Sequence, residues 1–184
     1  MTPACKGCFS VKSSTRSYTI IFDSKSCRGY AEESTAVELA ERWFGKYEGS
    51  RLLLDLVEIA YLLLSGHTKV IVENKTVSKL DDLVSTHSEC FKSFFWPMLS
   101  VFKDLRDRGR RVKILEPMKF LVKDKTGRLR LVFILEEKNP VSINILEQLV
   151  EDARRNNMLA TLAIVSLQGE LTYYEVTKAD LRAA

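Results

Sequence analysis

Apolar and polar residues follow two different periods along this chain, and these periods predict where its strands and helices lie. Alternation over β-branched residues predicts strands, whereas a spacing of three to four residues predicts amphipathic helices. In the first half, a strand is predicted at 17–23 and another, running into a turn, at 68–77. Helices are predicted at 34–45 with Ser34 as cap, at 55–66 and at 78–88.

The helix at 55–66 has the clearest start and stop signals. Asp55 precedes the apolar run, and Glu58 follows three residues later, which is the pattern of a capping box. Gly66 lies where a glycine commonly ends a helix. The sequence therefore predicts both boundaries of this helix from local chemistry.

The second half predicts a mixed sheet. A helix is expected at 90–109, with Pro97 kinking or restarting it. Three strands, a helix capped by Ser142 and two more strands follow, and such an order makes the Ser142 helix a crossover between parallel strands. We expect an α+β, or mixed α/β, fold with a small N-terminal α/β domain (1–88) and a C-terminal domain (89–184) whose central mixed sheet is flanked by helices. The predicted segments are 111–115, 119–123, 129–135, 142–157, 159–166 and 171–176.

Charge is distributed unevenly and favours a polyanionic partner. The formal net charge is +4, but residues 103–130 alone hold 11 basic and 4 acidic side chains. Such a local excess is typical of a surface that binds the phosphates of a nucleic acid. The predicted RNA contacts in the basic hairpin are Lys119, Lys123, Lys125, Arg128 and Arg130.

The sequence contains no signal for a membrane or for secretion. The sequence has no apolar run of membrane-spanning length and no signal-peptide pattern, so a cytoplasmic protein without a membrane partner is expected.

Cys5 and Cys8 have the spacing of a zinc half-site or a redox pair, or are free thiols. A disulfide between two of the four cysteines would fit a hyperthermophilic source. His67 and His87 have no nucleophile or ligand set beside them and are expected to be incidental surface residues.

The residues in and after the basic hairpin are compatible with one metal-dependent activity. Asp124 near the turn, with Glu136 and Lys138 after the next strand, forms a carboxylate followed by a Glu-x-Lys triplet. Two carboxylates that hold magnesium and a lysine near the attacking water would make a restriction-type nuclease. The competing interpretation is that these are solvated charges at strand ends.

Three segments carry motifs of one known family and occur in that family's order. The first, AERWFGKYEGSRLLLDLVEIAYLLLSG, has a Phe-Gly element before a Leu-rich strand and a helix, and is similar to the N-terminal domain of archaeal tRNA splicing endonucleases, where the element is Tyr-Gly or Phe-Gly. VFKDLRDRGRRVK resembles the family's Leu-Arg-x-Arg-Gly segment. LATLAIVSLQGELTYYEV resembles the C-terminal strands with their Thr-Tyr-Tyr element. The resemblance runs from about Leu39 to Val176.

The resemblance implies RNA cleavage by a tyrosine base, a histidine acid and a lysine, without metal or cofactor, leaving a 2′,3′-cyclic phosphate and a 5′-hydroxyl. The family's tyrosine follows a Lys-Phe-Gly-x-Asp-Phe element, but here KF at 119–120 is followed by LVKD. The histidine position falls at Gly127 or Arg128, and the lysine position at Met158, within 157–160. We therefore expect no catalytic residue in this chain.

The resemblance also offers a role for a chain without this triad. Crenarchaeal-type enzymes combine two catalytic and two structural subunits to cleave precursor tRNA at exon–intron junctions of bulge-helix-bulge type. The structural subunit's last strand pairs with the catalytic subunit, and an acidic loop docks into a basic pocket of the opposite heterodimer. Family loops often carry two or three acids, but here only Glu170 does. The implied interface residues are Leu167, Gln168, Gly169, Glu170, Leu171, Tyr173, Tyr174 and Val176. A free-standing RNA-binding module is the third hypothesis.

Overall fold

The computed structural model describes residues 17–92 and 94–177. They form an α+β fold with two mixed sheets, one in each half of the chain. This confirms the predicted fold class of a small N-terminal domain and a C-terminal sheet domain. No helix in these ranges has the length and apolar character needed to cross a membrane.

The first sheet has six strands in the order β3-β4-β2-β1-β5-β6. Only β1 and β5 are parallel, and the other neighbours are antiparallel. The predicted segment 68–77 is a hairpin, whose two turn residues Glu73 and Asn74 both have positive φ, as a type I′ hairpin turn requires. The strands are β1 Tyr18–Asp23, β2 Arg28–Ala31, β3 Lys46–Glu48, β4 Arg51–Leu54, β5 Thr68–Val72 and β6 Lys75–Val77.

The helices of this half are α1 Glu33–Glu41, α2 Leu56–Leu64 and α3 Leu80–Thr86. The predicted capping box of α2 is confirmed, because Asp55 accepts from Val57 N–H and Glu58 accepts from Asp55 N–H. The prediction for the first helix is wrong at both ends. The cap position of α1 is Glu32, and α1 ends four residues before Gly45.

The second sheet has five strands in the order β11-β10-β9-β8-β7. The predicted crossover is confirmed, since β9 and β10 are parallel and α5 connects them. Ser142 lies at the N-cap of α5, but its side chain makes no capping hydrogen bond. The predicted start of a helix at 90 is wrong, because α4 begins at Phe95. Of the two alternatives for Pro97, the structure has the restart and not the kink, since Pro97 lies in the first turn, where a helix needs no N–H donor. The elements are α4 Phe95–Asp107, β7 Arg111–Glu116, β8 Lys119–Lys123, β9 Leu129–Glu136, α5 Ile143–Arg155, β10 Leu159–Val165 and β11 Leu171–Val176.

One hydrophobic core joins the two sheets. Phe44 from the first half, Phe102 of α4 and Phe120 of β8 are all fully buried in it. Helix α4 packs against α2 on one side and the second sheet on the other, whereas α5 covers the opposite face of that sheet through a smaller cluster.

A disulfide between Cys27 and Cys90 ties the β1–β2 turn to a 3-10 turn at Ser88–Cys90. The disulfide thus cross-links a turn of the first half to a residue that follows the predicted domain boundary. The domain boundary between 88 and 89 stays a prediction, and Cys5 and Cys8 lie outside the described residues.

Candidate functional site

A cavity of about 430 Å³ opens where the chain enters β9 and β10. These strands are parallel neighbours, with Leu159 paired to Arg130, so the segments preceding them meet at one end of the sheet. The structure thus brings together the two positions that the resemblance assigned to a histidine (127 or 128) and a lysine (158). The lining residues are Gly127, Arg128, Leu129, Asn157, Met158 and Leu159.

The lining offers little acid–base chemistry. Arg128 is its only ionisable side chain, and a guanidinium stays protonated at any pH near neutrality. The residues that line the cavity therefore include no group that accepts a proton from a ribose hydroxyl or returns one to a leaving oxygen.

Asp124, beside the cavity, has a structural role in the β8–β9 turn. Its carboxylate accepts from the Thr126 hydroxyl at 2.6 Å, and from the backbone N–H groups of Thr126 and Arg128 at 2.9 Å each. The hydrogen bond from the Thr126 hydroxyl is the largest cause that lowers the pKa of Asp124. An ionised carboxylate with three local donors holds a turn and is a poor base.

The magnesium-nuclease hypothesis is wrong for this chain. Asp124 precedes β9, whereas Glu136 ends it, so the two carboxylates lie about 23 Å apart along the strand. Glu136 also accepts a hydrogen bond from the Asn139 amide, and Lys138 lies in the turn between them. Across 17–92 and 94–177, no group of three or more His, Cys, Asp or Glu residues could hold a metal.

The predicted RNA contacts divide into two sets. Lys119 is paired with Glu116, and Arg130 with Glu175, each at 2.9 Å. Lys123, Lys125 and Arg128 pair with no carboxylate of the described residues. Their role in binding RNA stays a prediction. The division itself depends on tertiary contacts that the sequence does not reveal.

The predicted docking loop is a tight turn. Its central Gly169 has φ +82, and the Ser166 hydroxyl accepts from the N–H groups of Gln168 and Glu170. Leu167 N–H donates to Glu137 at 3.1 Å. The Glu170 side chain is exposed and pairs with no cation among the described residues. The turn is thus held by Ser166 and by Glu137, and the carboxylate of Glu170 faces outward.

The two tyrosines of β11 lie on opposite faces of the strand, as alternation predicts. The Tyr173 hydroxyl donates to Asp104 of α4 at 2.8 Å. Burial first, and then this hydrogen bond, raise the pKa of Tyr173. Tyr174 is 53% exposed and shares its face with Val176. Strand β11 is an edge of its sheet. Tyr173 anchors it to α4, while on the opposite face Val176 packs against the α5 cluster and Tyr174 remains exposed.

A polar junction between the two halves was missed by sequence reasoning. The Arg106 guanidinium donates to the carbonyl oxygens of Arg42, Trp43 and Val112, at 2.6 to 2.8 Å. It lies 3.9 Å from the centre of the Phe44 ring. This one side chain of α4 thereby fixes the turn after α1 and the start of β7.

Glu58 completes this junction from α2. Its buried carboxylate accepts from Gly45 N–H at 2.8 Å and from Asp55 N–H at 3.0 Å. Burial raises the pKa of Glu58 to about 7. Glu58 and Arg106 both occur in segments that carry the family resemblance. That resemblance was the sequence signal that could have pointed to them.

Comparison with known proteins agrees with this architecture. Residues 21–84 match the family model of the tRNA intron endonuclease, N-terminal domain. The tRNA-splicing endonuclease of Pyrococcus horikoshii is 35% identical over 143 residues, covering 73% of this chain and 81% of the relative. That of Pyrococcus furiosus is 32% identical over 157 residues, covering 81% and 90%. A tRNA-splicing endonuclease of Methanosarcina mazei is 28% identical, and the match covers 45% of its length.

An N-terminal domain of the tRNA intron endonuclease type, followed by a second mixed sheet, defines the class of protein. The chain belongs to the tRNA-splicing endonuclease family.

Proposed function

We propose that this chain is the non-catalytic structural subunit of a heterotetrameric tRNA-intron endonuclease, which cleaves precursor tRNA at exon–intron junctions. The observation that carries the proposal is the cavity. Its two loops meet as the family's chemistry requires, but Gly127, Arg128 and Met158 stand at the positions of the acid and the lysine.

The chemistry explains why this chain needs a catalytic partner. Cleavage to a 2′,3′-cyclic phosphate requires a base for the 2′-hydroxyl, an acid for the 5′ oxygen and a cation for the charged transition state. Loss of one such group typically costs orders of magnitude in rate. Arg128 alone supplies a positive charge and no proton transfer, so the reaction belongs to the partner subunit.

The edge strand supports the structural role. Strand β11 presents unpaired backbone groups along its outer edge, which is how a strand of another chain extends a sheet. Leu171 and Tyr173 anchor β11 to the core, while Tyr174 and Val176 provide side chains on the opposite face. The exposed Glu170 suits a basic pocket on the opposite heterodimer. Two such chains and two catalytic chains make the proposed cytoplasmic assembly.

The test is cleavage of an intron-containing precursor tRNA in EDTA, first by this chain alone and then by its mixture with a candidate catalytic subunit. The proposal expects activity in the mixture only, with cyclic-phosphate ends. Cleavage by this chain alone would refute the structural role. A free-standing RNA-binding module would bind the transcript and leave the partner's activity and assembly unchanged.

The docking role of Glu170 has its own test. Glu170→Arg should weaken tetramer assembly at least about tenfold, because it places like charges together in a desolvated contact. Glu48→Arg is the matched control, since Glu48 is an exposed residue on the first sheet. Light scattering of the mixed subunits measures both variants. Equal assembly by the two variants would rule out docking through Glu170.

A further inference from the structure

The face of β7 and β8 that points away from α4 is open and basic. Val112, Phe120 and Val122 are buried in the core shared with α4. Because side chains alternate along a strand, Arg111 and Lys123 point to the opposite face, and so does Lys113. Helix α5 packs on β9 and β10, so it leaves the β7–β8 part of this face uncovered.

The cations of this region fall into two groups. In the first, each cation has a carboxylate partner, as Lys103 has in Asp107 and Arg108 in Asp104. A second group forms no ion pair with any described residue. This group, the basic face, consists of Arg111, Lys113 and Lys123 on the two strands, together with Lys125 and Arg128 of the adjoining β8–β9 turn.

The arrangement of these cations points to a ligand. Arg111 and Lys123 are direct neighbours across the β7–β8 pair. Like charges in that position destabilise a sheet. Lys125 lies over Gly109, between the end of α4 and the start of β7, so it adds a cation at the end of this strand pair. An anion that contacts several of these side chains would relieve the repulsion.

Trp43 adds an aromatic surface beside the basic face. The Lys123 ammonium lies 5.9 Å from the centre of its ring. The ring is partly exposed, and its backbone carbonyl is held by Arg106 at 2.8 Å. An ordered aromatic ring next to cations is the usual platform for stacking a nucleic acid base.

We infer that the basic face and Trp43 form an RNA-binding site, in which the cations contact phosphates and Trp43 stacks on a base. The inference rests on the proposed function and deepens it, because the structural subunit then holds the precursor tRNA directly. An RNA strand supplies a phosphate at every nucleotide, which suits several cations spread along a sheet edge. A loop with one or two carboxylates would leave most of the basic face unpaired.

The first experiment measures how RNA affinity depends on salt. The triple variant Arg111→Ala, Lys113→Ala, Lys123→Ala should reduce the slope of log affinity against log salt by about three, one unit per lost phosphate contact. The matched control is Arg51→Ala, Lys103→Ala, Arg155→Ala, which removes the same charge from paired positions. Fluorescence anisotropy with a labelled precursor tRNA and the full chain reports both slopes. Equal slopes for the two triple variants would overturn the inference.

The second experiment uses the two tryptophans of the chain, Trp43 and Trp96. Trp96→Phe leaves Trp43 as the only tryptophan, and we expect RNA to quench its fluorescence. Trp43→Ala should weaken RNA binding about 5- to 100-fold, and Trp43→Phe should restore most of it. If Trp43→Ala fails to fold, the quenching experiment still tests whether Trp43 contacts RNA. Unchanged fluorescence at saturating RNA would overturn the role of Trp43.

Further outcomes separate this inference from the proposed function. If the triple variant binds RNA normally but no longer co-elutes with the catalytic subunit, the basic face is a protein-docking surface and the inference fails. If the triple variant loses RNA affinity while the wild-type chain never activates a catalytic subunit, the RNA site stands and the structural-subunit proposal fails.

Discussion

The junction between the two sheets and the cavity before β9 and β10 use their polar groups very differently. At the junction, both carboxylate oxygens of Glu58 accept backbone N–H groups, and Arg106 donates to three carbonyl oxygens. At the cavity, the lining carries one cation and no group suited to proton transfer. The junction is thus built from hydrogen-bonded polar groups that hold the fold, whereas the residues that line the cavity offer a single positive charge.

This difference explains what family membership does and does not imply. The segments that resemble the family contain Glu58 and Arg106, whose contacts hold α1, α2, α4 and β7 together. The positions to which the resemblance assigns the acid and the lysine lie elsewhere, at 127, 128 and 158. Under the proposed function, the chain belongs to the family through its junction and depends on another chain for the reaction.

The largest expected effect follows from breaking the junction. Arg106→Ala leaves three backbone carbonyls without their donor and removes the cation above Phe44. We expect a loss of about 4 kcal/mol in the free energy of unfolding, because buried polar groups that lose a charged partner are costly. Arg108→Ala is the control, since its exposed pair with Asp104 contributes less than about 1 kcal/mol. Urea unfolding of both variants would contradict this prediction if the two losses were equal.

The disulfide should have the next largest effect. Cys27 and Cys90 are 63 residues apart, so their bond restricts a long loop of the unfolded chain. The double variant Cys27→Ser, Cys90→Ser should lose about 3 kcal/mol of stability. The control is the wild type with the disulfide reduced, which should melt like the double variant. A thermal melt that shows no difference between the double variant and the oxidised wild type would rule out a stabilising role for this disulfide.

The pH dependence of stability tests the burial of Glu58. Its pKa in the folded chain is raised from 4.5 to about 7, so between these values the folded state binds more protons than the unfolded state. Stability should therefore fall as pH rises from about 4.5 to about 7, by about 2 to 3 kcal/mol in total. Burial also raises the pKa of Asp55, which adds in the same direction.

The control for this prediction is Glu58→Gln. The amide accepts through one oxygen only, so the variant should be less stable overall but should lose most of this pH dependence. Chemical unfolding at several pH values gives both curves. If the two curves run parallel, the ionisation of Glu58 is not coupled to folding.

The parts of the fold that the sequence predicts are those with local causes. The capping box of α2 and the crossover helix between β9 and β10 follow from residue spacing alone. The short strands β2, β3 and β4 contain three or four residues each, too few for a period to be visible. The end of α1 depends on tertiary bonds, since Trp43 has φ +65 and its carbonyl is held by Arg106.

The candidate site was predictable only in part for the same reason. The resemblance supplied positions 127, 128 and 158, and the order of elements predicted a parallel pair of strands. That these positions meet depends on the register of this pair, which the sequence does not show. The magnesium hypothesis failed because spacing along the chain does not show that Asp124 and Glu136 flank opposite ends of β9. Ion pairs such as Arg130 with Glu175 join residues far apart in sequence and have no local signal.

The smallest effect on stability is expected from a substitution in the cavity, which can be compared directly with Arg106→Ala at the junction. Met158→Lys restores the lysine that the resemblance implies at this position, and the long lysine stem can keep the packing of Met158 while its ammonium reaches solvent. Stability should change by less than about 1 kcal/mol. The isolated chain should remain inactive, because a cation without a base and an acid does not cleave RNA. The mixture with the catalytic subunit should cleave precursor tRNA at the wild-type rate. Cleavage by the Met158→Lys chain alone would mean that the cavity still holds the other catalytic groups, and that its loss of chemistry is confined to one residue.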